Sequence, residues 1–187
     1  LEKDWMVREI DSLLAYLEDK TEVLEAPLDL GFPTGLSLHC TYSRDQIFAG
    51  LGHWTPEKIN VHGKREGVLY LKEKNLDIFF VTLNKSEKHF SPSTMYNDYA
   101  ISERLFHWQS QSTTSASSPT GQRYINGSSK VLLFVREFNK VGGVSQPFMC
   151  LGTARYVSHT GSKPMSIVWK LDAEIPAWFM KKAGKGI

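Results

Sequence analysis

Residues 66–83 read EGVLYLKEKNLDIFFVTL, and this stretch decides the fold class. Its two halves, EGVLYL and DIFFVTL, are rich in aliphatic and aromatic residues, which favour β-strands, and a short polar loop separates them. Four similar runs follow at residues 105–111, 130–138, 147–158 and 164–171. About six strands behind a helical start predict an α+β fold: an N-terminal helix plus a strongly curved, largely antiparallel sheet or a small β-barrel.

The residues before these strands show helical periodicity. Between residues 4 and 17, Met6, Ile10, Leu13 and Leu14 recur at helical spacing. This pattern predicts an amphipathic helix whose apolar face packs on the body of the domain, with a partner-binding helix as the alternative.

A second, shorter helix is predicted from the segment TYSRDQIFAGLG at residues 41–52. Ser43 and Gln46 have the S-x-x-Q spacing of a capping box, so this helix is expected to run for about two turns. We therefore divide the chain into a helical segment at 1–35, a body at 36–175 and a C-terminal tail at 176–187.

Composition limits the function classes only loosely. The 187 residues carry 22 basic and 20 acidic side chains, a net charge of +2, which is too small to establish a nucleic-acid partner. Many of the acidic residues lie in the first thirty positions, so the rest of the chain is more basic than the total implies.

Cys40 and Cys150 are expected to be free thiols. No signal peptide and no apolar run of membrane-spanning length is visible. Because the chain begins at Leu1, we expect a fragment of a longer protein.

Catalytic motifs are absent from the sequence. The six histidines form no H-E-x-x-H, the cysteines lack zinc-finger spacing, and neither a P-loop nor a G-x-S-x-G elbow occurs. A degenerate nuclease or hydrolase site built from carboxylates stays open as an alternative.

Residues 106–124 read FHWQSQSTTSASSPTGQRY and contain neither a carboxylate nor a lysine. Strand alternation places Trp108 and Ser110 on one face, and His107, Gln109 and Gln111 on the other. Neutral amides and hydroxyls can hydrogen-bond base edges or phosphates, and aromatic rings can stack on an extruded base. The ordinary alternative is that the rings are core and the hydroxyl-rich loop is solvated.

Three long segments resemble one known family: TYSRDQIFAGLG, FFVTLNKSEKHFSPSTMYNDYAISERLFHWQSQSTTSASSPTGQRYIN and FMCLGTARYVSHTGSKPMSIVWKL. This family, originally of unknown function, is found at the C terminus of bacterial phospholipase-D-type nuclease/superfamily-two helicase proteins, including modification-dependent (Type IV) restriction enzymes. The resemblance covers roughly residues 36–175.

The resemblance implies a role in DNA recognition. In that architecture the nuclease and the ATPase motor lie upstream, and the C-terminal domain reads 5-methylcytosine or 5-hydroxymethylcytosine in duplex DNA. This chain has no helicase motif and no H-x-K-x-D motif, so we expect a non-enzymatic recognition domain of the bacterial cytoplasm, with no membrane partner. ATP and divalent metal would belong to the upstream parts only. The strand pattern with G-x-A-x-Y-V-S-H is similar to PUA-like and SRA-like barrels, which hold a flipped base.

Candidate DNA-binding residues follow from the resemblance and from residue chemistry. We expect Tyr96, Tyr99 and Trp108 to supply walls of a base pocket and Asp98 to accept a hydrogen bond from the cytosine amine. The loop at 112–120 is expected to lie along the DNA, and the remaining residues are expected to contact base edges or phosphates. The full set is Tyr42, Ser43, Arg44, Lys85, Lys88, Tyr96, Asp98, Tyr99, His107, Trp108, Gln109, Ser110, Gln111, Thr113, Thr114, Arg123 and Lys163.

Three hypotheses on the function of this chain therefore remain open. A basic groove ending in an aromatic pocket would favour a reader of modified DNA. A large exposed apolar patch near the first helix would favour a regulatory domain that couples a helicase to its nuclease. A metal-binding carboxylate cluster would favour a nuclease or hydrolase.

Overall fold

The computed structural model describes residues 2–20, 26–53, 67–84 and 98–184, with side chains in the first helix described for residues 5–16. The helices are α1 (Glu2–Lys20), α2 (Arg44–Gly50), α3 (Pro119–Ile125) and α4 (Ala177–Ala183), with a 3₁₀ turn at Lys72–Lys74. The strands are β1 (Thr41–Tyr42), β2 (Val68–Leu71), β3 (Leu76–Asn84), β4 (Tyr99–Ala100), β5 (Leu105–Gln109), β6 (Lys130–Phe138), β7 (Lys140–Val141), β8 (Val144–Ser145), β9 (Phe148–Thr160) and β10 (Ser166–Leu171).

Eight of these strands form one mixed sheet. Its order is β2-β3-β6-β9-β10-β5-β4, and β1 pairs with the start of β9. Only β3 and β6 pair in parallel, while the other neighbours are antiparallel. No pairing among the described strands joins β2 to β4, so the sheet stays open. The predicted α+β class and the curved-sheet alternative are thus confirmed, and the described strands do not close a barrel.

Strand β3, the second strand from one edge of the sheet, is buried on both of its faces. Phe79 and Val81 pack into one apolar cluster, and Ile78 and Phe80 pack into the other. A strand covered on both sides needs apolar residues in succession rather than in alternation, which explains the continuous run DIFFVTL.

The two clusters are closed by different elements. The first contains Trp108, Tyr124 and Trp169 and receives residues from α3 and α4. The second is covered by the segment around α2, whose Ile47 and Phe48 are fully buried. The candidate functional site lies at the margin of the first cluster.

The capping box of α2 is present as predicted. The Ser43 Oγ accepts a hydrogen bond from the Gln46 backbone N–H at 3.3 Å, and the Gln46 Oε1 accepts one from the Ser43 backbone N–H at 2.8 Å. The helix begins immediately after Ser43, since the box supplies acceptors for the backbone N–H groups of Ser43 and Gln46.

Helix α1 occupies the residues predicted for it, but its apolar face is not packed on the body. Every side chain from Trp5 to Tyr16 is exposed, and both core clusters are filled by residues from other elements. The expected packing therefore does not agree with the structure.

The six strands predicted from the sequence all appear, and several short elements are additional. Helix α3 starts inside the expected 112–120 loop, and the β7–β8 hairpin turns through Gly142 and Gly143, both at positive φ. The expected tail contains α4, where Phe179 and Ala183 are buried in the first cluster, so the body extends beyond residue 175.

Candidate functional site

A cleft of about 570 Å³ lies where strand β6 begins. Strand β6 pairs with β9 only from Met149 to Ala154, whereas β9 continues to Thr160 beside β10. We call the part of β9 that extends beyond its pairing with β6, residues 155–160, the free length of β9. The cleft is bordered by the start of this free length, by the end of α3 and by β10. Its volume lies within the range usual for small-molecule pockets.

Three aromatic side chains line the cleft. The Trp169 ring lies edge-on to Tyr124, with ring centroids 5.9 Å apart, and edge-on to Tyr156 at 6.3 Å. Trp169 and Tyr124 are anchored in the core, while Tyr156 is half-buried. Burial raises the pKa of Tyr124 above its ordinary value, so its hydroxyl stays protonated and neutral at physiological pH.

The indole of Trp169 contains an unused donor. Its side chain is 1% exposed, and its Nε1 has no hydrogen-bond partner within the described part of the chain. A buried N–H without an acceptor is uncommon in native proteins, because its desolvation is not compensated. The atom itself is buried, so an acceptor would have to enter the protein beside the ring to satisfy this group.

The rim of the cleft is polar and balanced in charge. Arg155 forms an ion pair with Asp172 at 3.0 Å, and Asp172 also accepts a hydrogen bond from the Thr153 hydroxyl at 2.7 Å. The Lys130 Nζ donates to the Leu30 carbonyl at 2.7 Å, with Asp29 nearby on the rim. Two cations beside two carboxylates do not form the basic groove expected of a phosphate track.

Next to the cleft, the Tyr156 hydroxyl and the His159 Nδ1 are 2.6 Å apart. This contact orients both side chains. Among the described residues, no group of three or more His, Cys, Asp or Glu side chains is placed to hold a metal ion. Of the three aromatic side chains in the cleft, the half-buried Tyr156 is the one whose ring a flat ligand could contact.

The predicted pocket wall Trp108 does not agree with the structure. Its ring is stacked on Phe79 at 4.2 Å and is 5% exposed. Ring faces covered by core neighbours are not available to a base. The inward face of β5 is therefore core, as the ordinary alternative held.

Three other predicted contacts are buried and used internally. The Asp98 Oδ1 accepts the Gln109 backbone N–H at 2.9 Å, and the Ser110 Oγ accepts the Met165 backbone N–H at 2.9 Å. Thr114 is 6% exposed, and its carbonyl accepts the Lys163 backbone N–H. Ser110 thus joins β5 to the start of β10, Asp98 joins the residue before β4 to β5, and Thr114 joins its loop to the β9–β10 loop. None of the three lines the cleft.

Arg123 serves a structural ion pair. Its guanidinium donates to both carboxylate oxygens of the fully buried Asp77, at 2.7 and 2.9 Å, and it stacks over the Tyr70 ring. The Ser129 hydroxyl donates to the same carboxylate at 2.6 Å. A phosphate contact by Arg123 would have to compete with this ion pair, and the contact stays a prediction.

The residues predicted at the start of α2 are also engaged locally. Ser43 caps the helix, and the Tyr42 hydroxyl accepts the Ser37 backbone N–H at 2.8 Å. Arg44 lies over the Phe80 ring at 3.9 Å, and burial together with nearby Arg136 lowers its pKa to about 10. This cluster lies outside the cleft, since none of its residues lines it.

The remaining predicted residues fall into three groups. Tyr99 stacks on His107 at 4.8 Å, and the Gln109 side chain donates to Ser166, so these half-buried residues form one polar face of the sheet. The exposed residues are Gln111, Thr113 and Lys163. Outside the described residues lie Lys85, Lys88 and Tyr96.

Much of the hydroxyl-rich segment at 112–120 serves to start helix α3. The Ser118 Oγ accepts the Gly121 backbone N–H at 3.1 Å and donates to the Ser115 carbonyl at 2.7 Å. The Gln122 amide donates to the Ala116 carbonyl. The signal for this helix was present as Ser118 followed by Pro119, an N-cap followed by proline at the first helical position.

The cleft aromatics were not among the predicted residues. Strand alternation in PMSIVWKL places Ile167 and Trp169 on one face, and the segment G-x-A-x-Y places Tyr156 on the neighbouring strand. Tyr124 follows Arg123 in the missed helix. Only the pairing of β9 with β10, which the sequence does not give, brings these residues together.

The fold and the cleft define a small α+β domain built on an open mixed sheet. A family model matches residues 36–182, and the chain belongs to that family, which is described as a domain of unknown function (DUF3427). No curated protein matches the chain. No helix in the described part of the chain has the length and apolar character needed to cross a membrane.

Proposed function

We propose that this chain is the DNA-recognition domain of a modification-dependent restriction system. It would read 5-methylcytosine or 5-hydroxymethylcytosine in duplex DNA by receiving the extruded base in the cleft formed by Tyr124, Tyr156 and Trp169. The domain would act without catalysis of its own and within a larger helicase-nuclease protein. The observation that carries the proposal is the aromatic cleft with its unpartnered indole donor.

The geometry of the rings supports base binding. Extruded bases are held by stacking and by hydrogen bonds to their polar edges. Tyr156 is half-buried at the free length of β9, where a base could approach its ring, whereas Trp169 and Tyr124, 1% and 2% exposed, line the cleft from within the core. Stacking of a base on an aromatic side chain contributes about 1–3 kcal/mol.

The unpartnered Trp169 Nε1 supports a ligand with an acceptor edge. Cytosine presents the O2 and N3 acceptors once it has left its pair, and extrusion would expose both. An indole donor cannot by itself detect the modification at C5. Selectivity would come from the space around that position, where burial of one methyl group contributes about 1 kcal/mol.

Affinity for the phosphate backbone would come from outside the cleft, because the cleft rim is balanced in charge. Lys163 is exposed on the loop between β9 and β10, close in sequence to His159, and stays a candidate for such a contact. Phosphate contacts make binding strongly dependent on salt, so affinities need to be compared at one ionic strength.

The test is binding of the chain to one short duplex in three forms: unmodified, 5-methylcytosine and 5-hydroxymethylcytosine. We expect one modified form to bind more than about tenfold tighter than the unmodified duplex by fluorescence anisotropy at physiological salt. Tyr156→Ala should reduce that preference. Equal affinity for all three duplexes would overturn the proposal.

Tyr99→Ala is the matched control for Tyr156→Ala. Both tyrosines are half-buried on strands of the same sheet, but Tyr99 stacks on His107 and does not line the cleft. The control variant should keep the preference for modified DNA. If both variants lose the preference equally, the cleft is not the reading site.

One observation favours a second candidate, a regulatory domain that couples a helicase motor to a nuclease. The apolar face of α1 is exposed over all of its described side chains. A domain acting only through this helix would bind the three duplexes equally, so the same assay separates the two functions.

A further inference from the structure

A β-bulge on the free length of β9 changes which side chains share a face of the sheet. Trp169 of β10 pairs with Tyr156, but the residue before Trp169 pairs with Ser158. Val157 is therefore an extra residue on β9, and its side chain is exposed. Side chains three positions apart on a regular strand point to opposite faces. With one residue inserted between them, Tyr156 and His159 point to the same face.

The pairing partners on β10 identify that face. Tyr156 lies opposite Trp169, and His159 lies opposite Ile167. Trp169 and Ile167 are two residues apart on their strand, and both belong to the first cluster. The bulge thus turns His159 towards Tyr156 at the margin of the cleft. Bulges are over-represented next to functional sites, where they re-aim a side chain in this way.

The side chain of Tyr156 is held from two directions. Its ring lies edge-on to Trp169, with ring centroids 6.3 Å apart. Its hydroxyl oxygen lies 2.6 Å from the His159 Nδ1, and the two rings are tilted by 49°. The first contact holds one edge of the ring, and the second fixes its far end. Together they define a single position for this ring.

A fixed position matters most for this ring of the cleft. Trp169 and Tyr124 are buried in the core, so Tyr156 is the ring that a flat ligand could contact. A side chain that is ordered only when the ligand arrives weakens affinity by about twofold to tenfold, because its rotational freedom is lost on binding. A ring that is already held avoids this loss.

We propose that His159 is a positioning residue of the cleft. Its Nδ1 accepts the hydrogen bond of the Tyr156 hydroxyl, while its Nε2 carries the imidazole proton, and this contact holds the Tyr156 ring where an extruded base would stack. His159 does not line the cleft itself, so it acts through Tyr156. This inference rests on the proposed function, because it takes an extruded base as the ligand of the cleft.

The contact itself is tested without DNA, by NMR of the histidine ring nitrogens in the full 187-residue chain. At a pH where the imidazole is neutral, we expect Nδ1 of His159 to be the unprotonated acceptor. Tyr156→Phe removes the hydroxyl and keeps the ring. It should shift the ring nitrogens of His159 and leave those of the other five histidines unchanged. Unchanged signals of His159 overturn the inference.

The effect on binding is tested by fluorescence anisotropy with the three duplexes of the proposed function, at one ionic strength. His159→Leu should weaken binding to the preferred duplex by about threefold to tenfold. His159→Asn should recover most of that affinity, because its carbonyl oxygen takes the position of Nδ1 and accepts the same hydrogen bond. Ser158→Leu is the matched control. It places the same side chain on the other face of β9, so it should keep the wild-type affinity.

A double-variant cycle tests whether His159 acts through Tyr156. Tyr156→Phe should weaken binding as much as His159→Leu, and the two changes together should weaken it no further. Thermal unfolding of each variant checks that the body is intact. Additive losses in the double variant overturn the inference, and so does equal weakening by His159→Leu and His159→Asn.

The wild-type chain separates failure of this inference from failure of the proposed function. If the wild-type chain binds the three duplexes equally, the proposed function is refuted and the inference falls with it. If it prefers a modified duplex and His159→Leu binds that duplex as tightly, the inference alone is refuted.

Discussion

Replacing Arg123 with Met should destabilise the domain strongly, because it leaves a buried carboxylate unpaired. Asp77 is fully buried, and among the described residues Arg123 supplies two of the three side-chain hydrogen bonds that it receives. Of these three, the bond from Ser129 would remain. Breaking a buried ion pair by removing one partner costs about 3–5 kcal/mol, whereas the hydrophobic stem of Met keeps much of the packing.

The measurement is equilibrium unfolding in urea, with Arg155→Met as the control. Arg155 also forms an ion pair, with Asp172, but its side chain is 78% exposed, so this variant should lose no more than about 1 kcal/mol. Combining Arg123→Met with Asp77→Asn should recover part of the loss, since the unpaired charge is removed. A loss below about 1 kcal/mol for Arg123→Met would refute the structural role of this ion pair.

Three further predictions concern groups whose roles the structure reassigns or confirms. Ser110→Ala should cost about 1–3 kcal/mol in urea unfolding, because it leaves the buried Met165 N–H without its acceptor; a neutral effect would contradict that hydrogen bond. Ser43→Ala should cost about 1 kcal/mol through loss of the α2 cap, and Ser43→Asp, which also caps helices, should recover most of it. Burial raises the pKa of the Cys150 thiol to about 12 from its ordinary value near 9, so the unfolded chain ionises first and stability falls as pH rises from 9 towards 12. Cys150→Ala should therefore lose less stability than the wild type between pH 8 and pH 10, by about 1 kcal/mol, and equal losses would contradict the assignment.

The secondary structure of the body was largely predictable because its signals are local. The apolar runs at 77–83 and 130–138 predicted strands, and the S-x-x-Q spacing predicted that α2 begins after Ser43. Local pattern does not report which strands become neighbours. The parallel pairing of β3 with β6, and the length of β9 beyond its pairing with β6, which borders the cleft, depend on long-range contacts.

The candidate site was harder to predict, because the same residue types serve core and ligand. Trp108 and Trp169 both occupy strands with similar apolar neighbours, and only the sheet order places the second beside a cleft. The hydroxyl-rich segment looked like a binding surface, but its serines are used to cap α3 and to bridge neighbouring loops. The sequence does not predict that Arg123 is paired, because its partner Asp77 lies 46 residues earlier in the chain.

The most direct test of the account is whether DNA binding extrudes a base into the cleft. A duplex carrying 2-aminopurine beside a single 5-methylcytosine or 5-hydroxymethylcytosine reports unstacking of its neighbour as a rise in fluorescence. We expect a rise that saturates with binding to a modified duplex, persists in Tyr99→Ala and is lost in Tyr156→Ala. Saturable binding to the modified duplexes without any rise in fluorescence would contradict it.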